Sequence, residues 1–245
     1  MHRWYQLAQF CVRTESQVTP FQATRYISGE ATYDSVVLAD HPVAYWPMQE
    51  TSGTSVADLT GNGHTGTTHG TMSLGVGGPV PGVTSFLFGN FSGYITTAGT
   101  GPSAPPWSVE AFVNCPTNSS GYQTLLITDP GSGHIGYVGL QNNFTNNATY
   151  SDNVTAFANN GPALGATWNQ IVWTLDGSGN LTVYLNGQPY TSYTGVGLFT
   201  SAAQMVIGAA LPSGGTEFWN NYACRLSVYG YVLSSSQVLT HYNAR

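Results

Sequence analysis

Charge is what this chain has least of. Only 7% of its 245 residues are Asp, Glu, Lys or Arg, against roughly 25% in a typical soluble domain. Five Lys plus Arg stand against eleven acids, a formal net charge of −6. So few cations cannot neutralise a run of phosphates, which excludes nucleic acid as a partner. No apolar run approaches the roughly 20 residues that a membrane-spanning helix needs. Cysteine is scarce too. Cys11, Cys115 and Cys224 are odd in number and widely spaced. They read as free thiols, not as a disulfide framework or a metal knuckle. The first residues lack a continuous apolar stretch and a small-residue cleavage site, so no secretory signal is expected.

Glycine (30 residues) and tyrosine (15) fill the place of charge, with abundant Thr, Ser and Asn. That composition suits short strands joined by many turns, and the length is right for one all-β sandwich. Residues 1–32 stand apart. They hold Arg3, Arg13 and Arg25, three of the five cations, and lack Gly-rich turn signals. Their aromatics, Trp4, Tyr5, Phe10, Phe21 and Tyr26, are uncommon in a disordered tail. The segment reads as an arm that docks on a partner, with a disordered terminus as the alternative. Residues 33–245 read as the domain.

Within the domain, short apolar alternations are separated by Gly, Pro, Asn and Asp clusters. Strands are expected at 43–46, 85–88, 93–95, 107–115, 125–127, 135–140, 154–157, 205–207 and 225–232. Loops are expected at 61–63 and 75–79. In 107–115, Trp107, Val109, Ala111, Val113 and Cys115 share one face; Ser108, Glu110, Phe112 and Asn114 share the other. The clearest hairpin runs from Trp168 to Leu175, turns at Asp176-Gly177-Ser178-Gly179-Asn180 and returns through Leu181–Leu185. A second turn, Asn186-Gly187, carries the dipeptide that tight hairpins favour. One helix is expected, at the end, opened by the capping box Ser234-Ser235-Ser236-Gln237. Many strands and one helix predict an all-β, two-sheet antiparallel sandwich.

In order along the chain, several segments carry a resemblance. They are Val37-Leu38-Ala39-Asp40-His41-Pro42-Val43-Ala44-Tyr45-Trp46, Asp58-Leu59-Thr60-Gly61-Asn62-Gly63, Trp107-Ser108-Val109-Glu110-Ala111-Phe112-Val113, the hairpin from Trp168 to Gly187, and Ile207-Gly208 with Tyr229 to Tyr242. The chain resembles the laminin-G-like family of the concanavalin-like lectin/glucanase fold, as found in bacteriophage structural proteins. The resemblance implies a jelly roll. It implies little about activity, because the fold hosts lectins, hydrolases and adhesion modules alike.

Chemistry is sparse. Glycoside hydrolysis needs two carboxylates across a cleft, and no acid cluster is visible. Glu110 is the only acid in its strand and matches a position that the resemblance makes structural. The chain therefore reads as no enzyme. The resemblance also implies calcium, which needs several oxygen ligands. Asp58 and Asn62 are the candidate metal residues, and the alternative is a loop Asp satisfying its own backbone. Cys224 and Arg225 stand where the family often supplies an Asp-Glu pair, so no cofactor is the first expectation. His64 and His69 lack further metal ligands and read as loop polarity.

Sugars are held by aromatic faces with amides and hydroxyls. The candidates are Tyr122, Tyr137, Tyr150, Tyr193, Trp219, Asn220 and Asn221. Half or more of them are expected to pack in the core. The functional expectation is a virion structural protein of a bacteriophage (capsid-decorating, fibre or tail-associated) whose lectin-like domain binds glycans. Its partners would be other virion proteins, a glycan and further copies of itself, with no nucleic acid and no membrane. The alternatives are a bacterial carbohydrate-binding module or adhesin and, last, a polysaccharide-degrading enzyme.

Overall fold

The computed structural model describes residues 31–117, 120–129, 135–143, 147–151, 161–197, 204–210 and 217–245. Ala31–Arg245 form one compact unit. The arm residues Trp4, Tyr5, Phe10, Phe21 and Tyr26 lie outside the described residues, as do Cys11 and the strand expected at 154–157.

In chain order the elements are α1 (Tyr33–Ala39), β1 (Ala44–Trp46), β2 (Ser55–Val56), β3 (Gly66–His69), β4 (Met72–Gly77), β5 (Thr84–Phe88), β6 (Tyr94–Thr100), β7 (Trp107–Asn114) and β8 (Ser120–Asp129). Then come β9 (Ile135–Asn143), β10 (Asn147–Ser151), β11 (Trp168–Leu175), β12 (Leu181–Leu185), β13 (Gln188–Tyr193), β14 (Gln204–Ile207), β15 (Tyr222–Tyr229) and α2 (Ser235–Asn243). They build a jelly-roll-like sandwich of two antiparallel sheets. The first sheet has the order β13-β12-β11-β7-β15-β5-β4, with β1 paired to β15. The second has the order β10-β9-β8-β14-β6-β3-β2.

Local chemistry explains the expected hairpin and the expected helix. Asp176 Oδ1 accepts the N–H groups of Ser178 and Asn180, and Oδ2 accepts the Asn180 amide. That closes the β11–β12 turn. At the N-terminus of α2, Ser234 accepts the Gln237 N–H while the Gln237 side chain accepts the Ser234 N–H. Two otherwise orphaned donors are thereby satisfied.

Three departures from expectation shape the first sheet. Residues 75–77 belong to β4 and not to a loop; Gly75 has φ +69° at a register shift between Ser73 and Val76. The glycine marks a bulge within a strand. A helix, α1, precedes β1. Only one helix, at the C-terminus, was expected; the signal for this one was Thr32, whose side chain accepts the Ser35 N–H. Finally, β7 is buried along both faces, with only Asn114 half-buried. The second face is covered because α1 and α2 lie over the first sheet. The helices bring Tyr33, Val37 and Val238 into the main core.

Candidate functional site

The two sheets differ in what lies outside them. Under α1 and α2 the first sheet carries a buried polar cluster. Glu110, fully buried in β7, accepts from the Tyr33 hydroxyl (2.9 Å) and the Gln170 amide (2.6 Å) on Oε1. Its Oε2 faces His241 Nδ1 at 2.6 Å, and His241 Nε2 faces Asp40 Oδ2 at 2.9 Å. A carboxylate at each ring nitrogen favours the imidazolium form of His241, in which both nitrogens donate. Burial pulls its pKa down, but hydrogen bonds and charge from Glu110 and Asp40 outweigh burial and raise it above the ordinary value. Glu110 and His241 are closed to solvent, Asp40 is half-buried, and both acids are already paired with His241. The cluster fastens the C-terminal end of α1 and the face of α2 to the central strand.

The second sheet presents polar and aromatic groups outward. Ile95, Ile207, Leu126 and Val138 enter the main core from one face. Ile127 and Val206 make a separate cluster with Ala209, against Tyr94 and Phe218, on the other face. Directly paired residues share a face. Ser55 pairs with Thr67, Thr67 with Thr96, Thr96 with Val206, and Val206 with Ile127. A row of three hydroxyl residues therefore runs from the β2 edge to an apolar patch. Beside it, the cross-strand pair His69 and Tyr94 stack, with ring centroids 4.7 Å apart and planes 18° apart. His69 Nε2 is 2.9 Å from Thr96 Oγ1. The Phe218 ring lies 6.4 Å from Tyr94, brought there by a parallel bridge between Phe218 and Thr124. Ser55 and Thr67 are exposed; Thr96, His69, Tyr94 and Phe218 are half-buried. Rings and hydroxyls on one solvent-facing surface are the groups that hold a sugar, whose C–H face packs on an aromatic while its hydroxyls exchange hydrogen bonds.

This face differs from the set expected from sequence. Trp219 is 1% exposed and Tyr150 fully buried. Both are core residues, and Tyr150 donates to Gly197 O (3.2 Å) with its ring 5.6 Å from Trp107. Asn221 is buried, accepting from Thr117 N–H and donating to Gln123 Oε1. Asn220 donates its N–H to that same oxygen and accepts the Phe91 N–H. Asn221 thus locks loops together in the interior, and half-buried Asn220 ties its loop to the turn at Phe91. Tyr122 is exposed on β8 of the second sheet, whereas half-buried Tyr193 lies on β13, an edge of the first. Tyr137 pairs in register with Ile127, and its side chain is outside the described residues. Of the expected residues, Trp219, Tyr150 and Asn221 are thus buried and Tyr193 belongs to the first sheet, whereas Tyr122 and Tyr137 belong to strands of the second. His69, read as loop polarity, instead ends β3.

Calcium does not fit at Asp58. Oδ1 accepts the N–H groups of Tyr45 and Thr60 and the Thr60 hydroxyl, and Oδ2 accepts the His64 N–H. Burial raises its pKa, but these donors outweigh burial and lower it below the ordinary carboxylate value. Hydrogens already point at both oxygens, so Asp58 organises its own loop. The Asn62 side chain points its donor at Pro42 O and Val43 O. Among the described residues no three His, Cys, Asp or Glu side chains cluster as metal ligands.

A family model described as the concanavalin A-like lectin/glucanases superfamily matches residues 88–239, more than half of the chain. The chain belongs to that superfamily. No curated protein matches it in sequence. Among solved structures, this superfamily member is similar to domain 4 of an extracellular arabinanase from Geobacillus stearothermophilus, in complex with arabinotriose. Identity is 18%, TM-score 0.64, and the match covers 82% of this chain and 97% of that one. The sialidase of Trypanosoma rangeli matches at 17% identity and TM-score 0.57, over 81% of this chain but 32% of its own. The receptor-binding domain of botulinum neurotoxin type G matches at 16% identity and TM-score 0.57, over 82% of this chain and 51% of its own. Identities this low establish the shared fold alone.

Proposed function

We propose that this superfamily member is a non-catalytic glycan-recognition module that binds through the outer face of its second sheet. The observation that carries the reading is the half-buried His69–Tyr94 stack beside the hydroxyls of Ser55, Thr67 and Thr96. The arabinanase domain solved with arabinotriose supports it as a precedent on the same fold. The absence of catalysis is supported by the commitments of four of the eleven acids. Glu110 and Asp40 hold His241, Asp58 holds its loop and Asp176 holds a turn. None of these is placed across a cleft from a second acid, as glycoside hydrolysis requires.

The setting we propose is the outside of a phage particle, with the module decorating a capsid, fibre or tail. The resemblance of the segment from Val37 to Trp46 to phage structural proteins supports this. Many copies on one shell would turn weak single contacts into avidity.

The test is a glycan array probed with the wild-type chain, Tyr94→Ala and His69→Ala, each checked for an unchanged melting temperature. Wild type should bind a defined set of spots. Each variant should lose about five- to thirty-fold, as expected when a stacking residue worth about 1–2 kcal/mol is removed. A blank array, or variants that bind like wild type, would sink the reading. Immunogold labelling of intact particles tests the setting; label absent from particles and present on bacterial cells would favour an adhesin.

A further inference from the structure

The helices seal the outer face of the first sheet only in part. Beneath them Gln170, Phe112 and Cys224 stand side by side on β11, β7 and β15, each at most 1% exposed. Two residues away on each strand the same face carries Trp168, Asn114 and Tyr222, again paired in register. All three are half-buried, so the helical cover ends between the two rows. Tyr222 pairs onward with half-buried Leu87 of β5, and Leu87 pairs with exposed Ser73 of β4. An open row of side chains therefore crosses the sheet from β11 to β4. Its strand spacings add up to about 19 Å.

The row has a polar centre between rings. The Trp168 and Tyr222 rings stand edge to face, with centroids 6.3 Å apart and planes 66° apart. Asn114 lies between them in the register, and its Oδ1 is buried without a hydrogen-bond partner. A sealed acceptor left unpaired is a standing cost to the fold, and native structures keep few of them. A donor that enters between two half-open rings removes that cost. Sugars bring both parts: hydroxyls that donate to the amide oxygen, and C–H faces that pack on the rings. The groups project from strands, which hold them more rigidly than loops do.

We infer that this row is a second glycan-binding surface, on the opposite side of the sandwich from the His69–Tyr94 stack, and that it takes a linear oligosaccharide laid across the strands. Asn114 anchors one sugar, and Trp168 and Tyr222 hold its neighbours. The site does not depend on the reading above. With a face on each sheet, one copy of the chain holds two glycan chains at once.

The probe is an array of linear oligosaccharides printed in graded lengths. Trp168→Ala and Asn114→Leu should each weaken a set of spots distinct from the set weakened by Tyr94→Ala. The expected loss is about five- to thirty-fold for the first and about three- to ten-fold for the second. Signal in this set should rise with length; equal signal at every length would overturn the extended row. Trp168 also packs against the main core, so Asn114→Leu is the cleaner variant. It removes an unpaired buried oxygen and keeps the shape, so its melting temperature should hold or rise while its binding falls. A lower melting temperature with binding intact would make Asn114 structural and overturn the site. Spots that respond to Tyr94→Ala alone would overturn this surface and leave the proposed face standing. Spots that respond only to Trp168→Ala and Asn114→Leu would support this surface and overturn the proposed face. A blank array would overturn both.

Discussion

At the scale of single residues, His241 is the group on which the helical cover depends. Its ring is fully buried between two carboxylates, with the Tyr33 and Tyr229 rings 6.4 Å and 6.1 Å away. Both tyrosines have pKa values raised, first by burial and then by Glu110, so they stay neutral and leave the charge balance to the His and its two acids. Removing one partner of such a pair leaves a buried charge uncompensated. Glu110→Ala should therefore cost about 3–5 kcal/mol in urea unfolding, and a loss below about 1 kcal/mol would refute the pairing. The pH dependence has a definite sign. The folded pKa of His241 is raised, so its stabilisation is full below the unfolded value of about 6.5. It is lost as pH rises through the folded value. Unfolding free energy should fall as pH climbs above neutrality, and the fall should be shallower in Glu110→Gln, which lacks the charge. Equal slopes in the two proteins would contradict the assignment. Asp58 yields a second residue-scale expectation. Because its oxygens already accept four hydrogen bonds, millimolar calcium or a chelator should leave the melting temperature unchanged, whereas Asp58→Ala should lower it.

At the scale of elements, the candidate face depends on how β3 turns into β4. Gly70 has φ +67°, and a Cβ built there would sit 1.9 Å from the Ser92 carbonyl oxygen. No L side chain fits such a position without moving backbone. Gly70→Ala should push the β3 end away from the loop before β6. The expected result is a lower melting temperature together with weakened glycan binding, because His69 and Tyr94 sit at that junction; unchanged binding would show that the stack is not the site. The same junction shows why the face was not legible in the sequence. His69 and Tyr94 meet only through strand pairing, and nothing local to either residue announces the other. What was legible rests on local chemistry. The β11–β12 hairpin is written in Asp176 and its glycines, and α2 in the Ser234–Gln237 box. Where tertiary cover decides, local reading misled. Trp219 and Asn221 sit among polar neighbours in sequence yet are sealed in the fold. The second face of β7, with Glu110, is sealed only because α1 and α2 cover it, and the strand's own sequence does not announce that cover.

At the scale of the whole molecule, two effects of pH oppose each other. The sequence pI is about 5.3 and the formal net charge at pH 7 is −6. A surface this poor in charge has only that modest excess of acid to keep molecules apart, and repulsion vanishes as pH approaches the pI. The buried His241 pair behaves differently. Its strength depends on the charge of His241 and not on the outer field, and it is fully formed below about pH 6.5. Lowering pH from 8 toward 5.3 should thus keep or raise conformational stability while removing colloidal stability. The measurement is a paired series across that range: chemical unfolding for the first, static light scattering for the second. The expected outcome is attraction between molecules that grows steadily toward the pI while the unfolding free energy holds or increases. If both decline together, acid loosens the fold, and the His241 cluster is not the fastening described here. If neither changes, the few surface charges do not govern association. A chain fixed in many copies on a particle would be spared the consequence, because its neighbours are set by the shell and not by diffusion.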